Sequence, residues 1–190
     1  GSVWCSDNGP DDNTLMRLEL GDSPPESCIA EVYMPPPSIQ NPPPYGSGGL
    51  HITGDGLVWQ DWRGSGHFAT FDRSVCTVTN GPEATGQSCP EGWTFHRMDK
   101  PTFSNAEMPI NSDESYLTQI DHYDVLGLGL ETPVYGVVNT DSLEVFVPST
   151  EQFVTLRVPY PMGFFSRSSN GRIDDPTTGW KGKGLWSSYS

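Results

Sequence analysis

A short apolar motif built around tryptophan recurs along this chain, and it limits the fold more than any other feature. Val3-Trp4-Cys5-Ser6-Asp7 is echoed by Val58-Trp59-Gln60-Asp61-Trp62, and Leu185-Trp186-Ser187-Ser188-Tyr189 echoes both. Val134-Tyr135-Gly136-Val137-Val138-Asn139 is a looser copy with Tyr135 in the place of the tryptophan. The first three copies and their sequels share a layout. A second apolar run follows (Leu15–Leu20, His67–Asp72, Leu143–Val147), then a third (Ile29–Pro35, Trp93–Met98, Phe153–Pro159). Apolar and polar residues alternate within the runs, the two-residue period of a strand. Gly49-Leu50-His51-Ile52-Thr53 precedes the Trp59 copy through Gly54-Asp55-Gly56, and an Asp-Gly pair between apolar runs signals a hairpin. The unit is thus four antiparallel strands in meander order, and such units repeated radially make a β-propeller.

The intervals between copies are uneven and exceed the roughly 40–50 residues of a typical blade. Three insertions account for the excess: a Pro-rich stretch at 35–48, a loop at 76–92 bracketed by cysteines, and a polar stretch at 101–115. The expected architecture is all-β. It comprises about three four-stranded antiparallel blades plus part of a fourth, in a single propeller segment over residues 1–190. Its open edges would be covered by the remaining blades of a larger protein or by a protein partner. A β-sandwich is the alternative. The 21 Gly and 18 Pro fit turns between buried strands rather than disorder, because the aromatics, six Trp among them, sit within the apolar runs.

Twenty-four acidic residues against ten Lys and Arg give a formal charge of −14. That disfavours nucleic acid, whose phosphates require clustered cations, and anionic membrane surfaces likewise. No apolar run is long enough for a membrane span, so direct membrane insertion is not expected. Of the four cysteines, Cys76 and Cys89 flank one loop, and Cys5 and Cys28 are the other pair near in sequence. Two disulfides in that pairing are expected, with buried free thiols as the alternative; bridges would imply an oxidising compartment, secreted or periplasmic.

Gly-Leu-His-Ile from Gly49, Asp-Gly-Leu-Val-Trp-Gln-Asp-Trp from Asp55 and His-Phe-Ala-Thr-Phe-Asp from His67 together resemble a blade of the virginiamycin B lyase-like propellers, which are close in style to NHL-repeat propellers. The stretch from Leu156 to Trp186 is similar to the C-terminal region of large secreted bacterial proteins carrying such a propeller. The resemblance implies an extracytoplasmic propeller. It also brings in a possible activity, the metal-assisted opening of a cyclic ester by elimination with a histidine base and magnesium. The histidines of this chain match no catalytic set of that family residue by residue.

The candidate chemistry is therefore dispersed. His51 and His67 are the candidates for a general base, with Asp61, Trp62 and Arg63 beside them as binding residues; the plainer reading is separately buried histidines and a Trp62 packed between blades. Asp7, Asp11 and Asp12 offer oxygens to a divalent cation, calcium or magnesium, without the spacing of an EF-hand loop; an Asx-rich turn between strands is the plainer reading. The stretch from Asn170 to Gly184 reads as a Gly-rich loop in which Arg172 and Lys181 would bind an anion, or in which Asp174 would pair with Arg172. The Pro-rich stretch reads as a stiff connector or a docking segment in extended polyproline conformation. Whether the chain is an enzyme stays open. A binding or structural scaffold is the first reading, with the lyase and an assembly joined through strand edges as alternatives.

Overall fold

The computed structural model describes residues 1–8, 13–79, 89–98, 100–103, 114–158, 169–173 and 183–188. Among them, four antiparallel sheets follow one another in chain order. The first holds β1 (Ser2–Asn8), β2 (Asn13–Glu19) and β3 (Ile29–Tyr33). The second is the meander of β4 (Ser47–Ile52), β5 (Val58–Trp62), β6 (His67–Phe71) and β7 (Trp93–Arg97). The third is the meander of β8 (Ser115–Asp121), β9 (Thr132–Val137), β10 (Ser142–Val147) and β11 (Gln152–Arg157). The fourth pairs β12 (Ser169–Ile173) with β13 (Lys183–Ser187). The described helical structure is two short 3₁₀ turns, Arg73–Val75 and Pro90–Gly92.

The sheets stack face to face. β1 lies against β4, β4 and β5 lie against β8, and β8 lies against β12. Successive antiparallel meanders that meet along their inner strands are the arrangement of β-propeller blades. We number the sheets blades 1 to 4, and β4, β8 and β12 are the axial strands of blades 2 to 4. Every residue of β5, β6, β9 and β10 is buried, because these strands are covered on both faces.

Period-two alternation sorts the side chains between seams. Val58, Trp62, Ala69, Phe71 and Trp93 of blade 2 pack with Leu15 and Tyr33 of blade 1. Trp59, Phe68 and Met98 of blade 2 pack with Ile120, Tyr135, Val137 and Phe146 of blade 3. Val134, Leu143, Val145 and Val147 form the far face of blade 3, against which Leu185 of blade 4 packs. Burying one such large side chain stabilises by about 1.5–3 kcal/mol, so the seams hold the stack.

The third motif copy is displaced by one residue from the reading by sequence. Ser47 faces Trp62 and Ser115 faces Val137, which makes Val134, not Tyr135, the counterpart of Trp59. The packing agrees: Trp59 and Val134 both point to the following blade, whereas Tyr135 points back onto Phe68, with ring centroids 4.8 Å apart. A one-residue slip in a strand exchanges its faces, and apolar residues on both faces of β9 hide the slip.

Other expectations are also corrected. Asn170 to Ile173 is not loop but strand β12, with Arg172 opposite Gly184; Asp174 and Lys181 lie outside the described residues. Cys76 and Cys89 are bonded, but Cys5 and Cys28 are free thiols. Cys5 stands in a row with Met16 and Val32, and Cys28 precedes Val32 by four residues along the chain, roughly 13 Å of extended strand, too far for a bridge. The Pro-rich stretch is broken by a turn in which the Ile39 amide donates to the Pro36 carbonyl, so it is no continuous polyproline helix.

Candidate functional site at the axial strands

The loop beyond β8 is shaped by one carboxylate. Asp121 accepts hydrogen bonds from the amides of Tyr123, Val125 and Leu126, which turns the chain sharply and leaves His122 projecting beside β4. Asp124 accepts from the Gly129 amide and closes the same loop, and Glu131 then enters β9 in the left-handed region at φ 59°. On the neighbouring blade, Thr53 accepts from the Gly56 amide and shapes the turn after β4, which exposes the Gly54 amide. Glu131 Oε2 receives both the Gly54 N–H (3.0 Å) and His122 Nδ1 (2.9 Å). The His122 ring centroid stands 5.2 Å from that of His51, the penultimate residue of β4.

Two imidazoles from separate blades thus meet, one of them oriented by a carboxylate. A carboxylate oxygen accepts, so His122 donates through Nδ1, which fixes the orientation of its ring. Burial, reinforced by the charge of His122 and opposed by Glu131, holds His51 below the usual histidine range. Its Nδ1 is buried with no hydrogen-bond partner among the described residues.

The residues grouped by sequence do not form one site. Trp62 and His67 face blade 1, whereas His51 and Asp61 face blade 3. His67 is fully buried, its Nδ1 2.9 Å from Ser65 Oγ and its ring edge-on to Phe95; burial, with the charge of Arg97, pushes it down to about 4. Trp62 packs against Trp93 and Phe95 in the blade 1–2 seam. Asp61 is buried and clasps the next axial strand: Oδ1 accepts from the Thr118 amide (3.2 Å) and Thr118 Oγ1 (2.9 Å), and Oδ2 from Ser115 Oγ (3.4 Å). Burial pushes Asp61 up to about 6, against the pull of the Thr118 and Ser115 hydrogen bonds. Arg63 stands at the opposite end of β4 from His51, its guanidinium 5.8 Å from the centre of the Tyr116 ring.

Asp7 lies in β1, where its carbonyl accepts from Ser47 Oγ, and Asp11 and Asp12 lie outside the described residues. Among the described residues no three His, Cys, Asp or Glu groups come together to hold a metal ion. Magnesium requires near-octahedral oxygen ligands, and two imidazoles with one carboxylate already bonded to His122 do not fit it. Tyr116 escaped the sequence reading because the bulge between Tyr116 and Gln119 breaks the alternation that marks a strand, and the roles of His122 and Glu131 because only the loop folded around Asp121 brings them to β4. The available signal was the serine that opens both axial strands, Ser47 and Ser115.

No family model matches this chain, and no curated protein matches it. Among solved structures, selenomethionine-substituted virginiamycin B lyase from Staphylococcus aureus is similar over 98% of this chain and 66% of its own, at 10% identity and a TM-score of 0.36. The chain spans about two thirds of that protein's length. A likeness of this strength assigns neither an activity nor a residue.

Proposed function

We propose that this chain is a segment of an extracytoplasmic β-propeller that serves as a binding scaffold, with His51, His122 and Glu131 as the polar contacts for its ligand. The observation that carries the reading is the pair of imidazoles brought together from two blades, with Glu131 fixing one of them. A ligand needs a few polar groups on a rigid frame, and this pair offers them where two blades meet. The Cys76–Cys89 bridge supports a secreted or periplasmic location. The outward face of blade 1 exposes Val3, Leu18 and Val32, and Val3 occupies the position of Val58, which blade 1 covers in the next seam. The partner proposed for that face is a further blade, because the same seam then repeats.

The test is a fragment screen read from the imidazole resonances of the whole protein. Ligands that shift His51 and His122 together, and that fail to bind His122→Ala, support the reading. Ligands that shift neither histidine overturn it.

A second reading is favoured by the His122–Glu131 pair alone. His122 Nε2 would remove a proton from a cyclic ester, with Glu131 stabilising the resulting imidazolium. Turnover of a cyclic depsipeptide that disappears in His122→Ala and falls in Glu131→Gln would favour this lyase over the scaffold. No turnover by the intact protein would remove it.

A further inference from the structure

The opposite end of the same axial strands holds a recess of about 240 Å³, lined by Ser6, Gly48, Gly49, Arg63, Tyr116 and Leu117. Its walls are irregular in both blades: register breaks between Ser47 and Leu50 in β4, and between Tyr116 and Gln119 in β8. Leu117 is held at φ 51°, a left-handed conformation that costs a leucine energy. The two glycines permit the close approach. A Cβ on Gly49 would stand 2.6 Å from the Leu117 Cα, and one on Gly48 would overlap the Asp61 carboxylate. Bulges and strained residues gather where a backbone is shaped for something other than pairing.

Arg63 is the cation of this recess. Arg17, Arg73 and Lys100 are each bound by Glu31 or Glu144, whereas Arg63 has no carboxylate partner among the described residues. An arginine that lines a recess without such a partner among the described residues is free to receive an external anion. The planar guanidinium suits a carboxylate, which it binds through two parallel hydrogen bonds. The neighbouring Tyr116 ring and Leu117 side chain suit an apolar body. A single cation in a recess whose Gly48 lies against the buried Asp61 carboxylate favours a monoanion over a dianion such as hydrogen phosphate.

We propose that this recess binds a small organic monocarboxylate, with Arg63 gripping the carboxylate and Tyr116 flanking the apolar part. The inference is independent of the histidine site.

Benzoate binding to the whole chain, measured by calorimetry, tests it. One benzoate per chain is expected, weakened about tenfold or more in Arg63→Gln and by an intermediate factor in Arg63→Lys, which keeps the charge without the fork. Inorganic phosphate at equal concentration should not displace it. A readout that needs no variant comes from NMR of the intact protein, in which benzoate should shift the Arg63 Nε–H and the Tyr116 ring. Equal affinity in Arg63→Gln, displacement by phosphate, shifts confined to other residues, or no saturable binding at millimolar benzoate would each overturn the proposal.

Discussion

The seam between blades 1 and 2 and the seam between blades 2 and 3 join equivalent surfaces by different means. In the first, Glu31 is buried and surrounded by cations. Arg73 donates to both its oxygens (2.7 and 2.5 Å), Arg17 to Oε2 (3.3 Å), and Tyr33 Oη to the same oxygen (2.9 Å). The axial contact there is a hydroxyl, Ser6 Oγ donating to the Gly48 carbonyl at 2.6 Å. In the second seam the position of Ser6 belongs to Asp61, whose charge is met by hydroxyls and one amide with no cation among its hydrogen-bond partners. Aromatic packing adds to it, with Trp59 5.1 Å from Phe68 and 5.5 Å from Phe146, and so does an ion pair in which Lys100 Nζ donates to the buried Glu144 of blade 3 at 2.9 Å. A buried carboxylate given cations is stabilised as an anion, and one given hydroxyls is not fully compensated for its lost water. Glu31 and Asp61 therefore respond to acid in opposite senses.

The largest effect on this comparison should come from Trp59→Ala. It removes the ring that joins blades 2 and 3 and should lower unfolding stability by about 5 kcal/mol in urea titration, near the upper end for a buried Trp. A loss under 2 kcal/mol would mean that the aromatic seam is not what holds those blades.

Glu31→Ala should cost about 3–4 kcal/mol, because Arg17 and Arg73 lose the carboxylate that both bind. The Glu31 carboxyl sits below its usual range: burial raises it, but the hydrogen bonds from Arg73 and Tyr33 and the charges of Arg73 and Arg17 outweigh that. Its contribution is present above the unfolded carboxylate range and is lost as pH falls through the lowered folded value.

Asp61 has the opposite sign. Its folded value, about 6, lies above the unfolded one, so between about pH 4 and 6 the folded protein binds more protons. Its contribution is complete below pH 4 and fades as pH rises through 6, by about 2–3 kcal/mol. Asp61→Asn should abolish this slope, and Glu31→Gln should leave it intact. Stability against pH for the three proteins checks both; parallel curves for wild type and Asp61→Asn would break the contrast between seams.

The smallest effect should be that of Ser6→Ala. It removes one neutral hydrogen bond and should cost about 1 kcal/mol by thermal unfolding. A cost as large as that of Glu31→Ala would show the hydroxyl to be as important to the first seam as the charge network.

Much of this architecture is legible in the chain before any coordinates. The runs at Leu15, Val58, His67, Trp93, Leu143 and Phe153 announce themselves as strands because each alternates or is continuously apolar between turn residues. The Cys76–Cys89 bridge could be anticipated because the two cysteines flank one loop. The axial strand β8 and the hairpin strand β12 were hidden for the opposite reason: a bulge interrupts one, and glycine and charged residues make up much of the other. The histidine site was half visible. His51 stood out in a strand, but His122 reaches it through a loop folded around Asp121, and no local pattern records that meeting.

By itself, then, the sequence determined an all-β chain of repeated antiparallel meanders, since period, turn residues and aromatic spacing act over a few residues. The tertiary structure alone decided three other things: the register of the third motif copy, the partners of Asp61 and Glu31, and the meeting of His51 with His122. Each depends on how one blade lies on the next, and that is set by side chains distant in sequence that share a seam. Fully buried strands with apolar residues on both faces carry no mark of which neighbour they will meet.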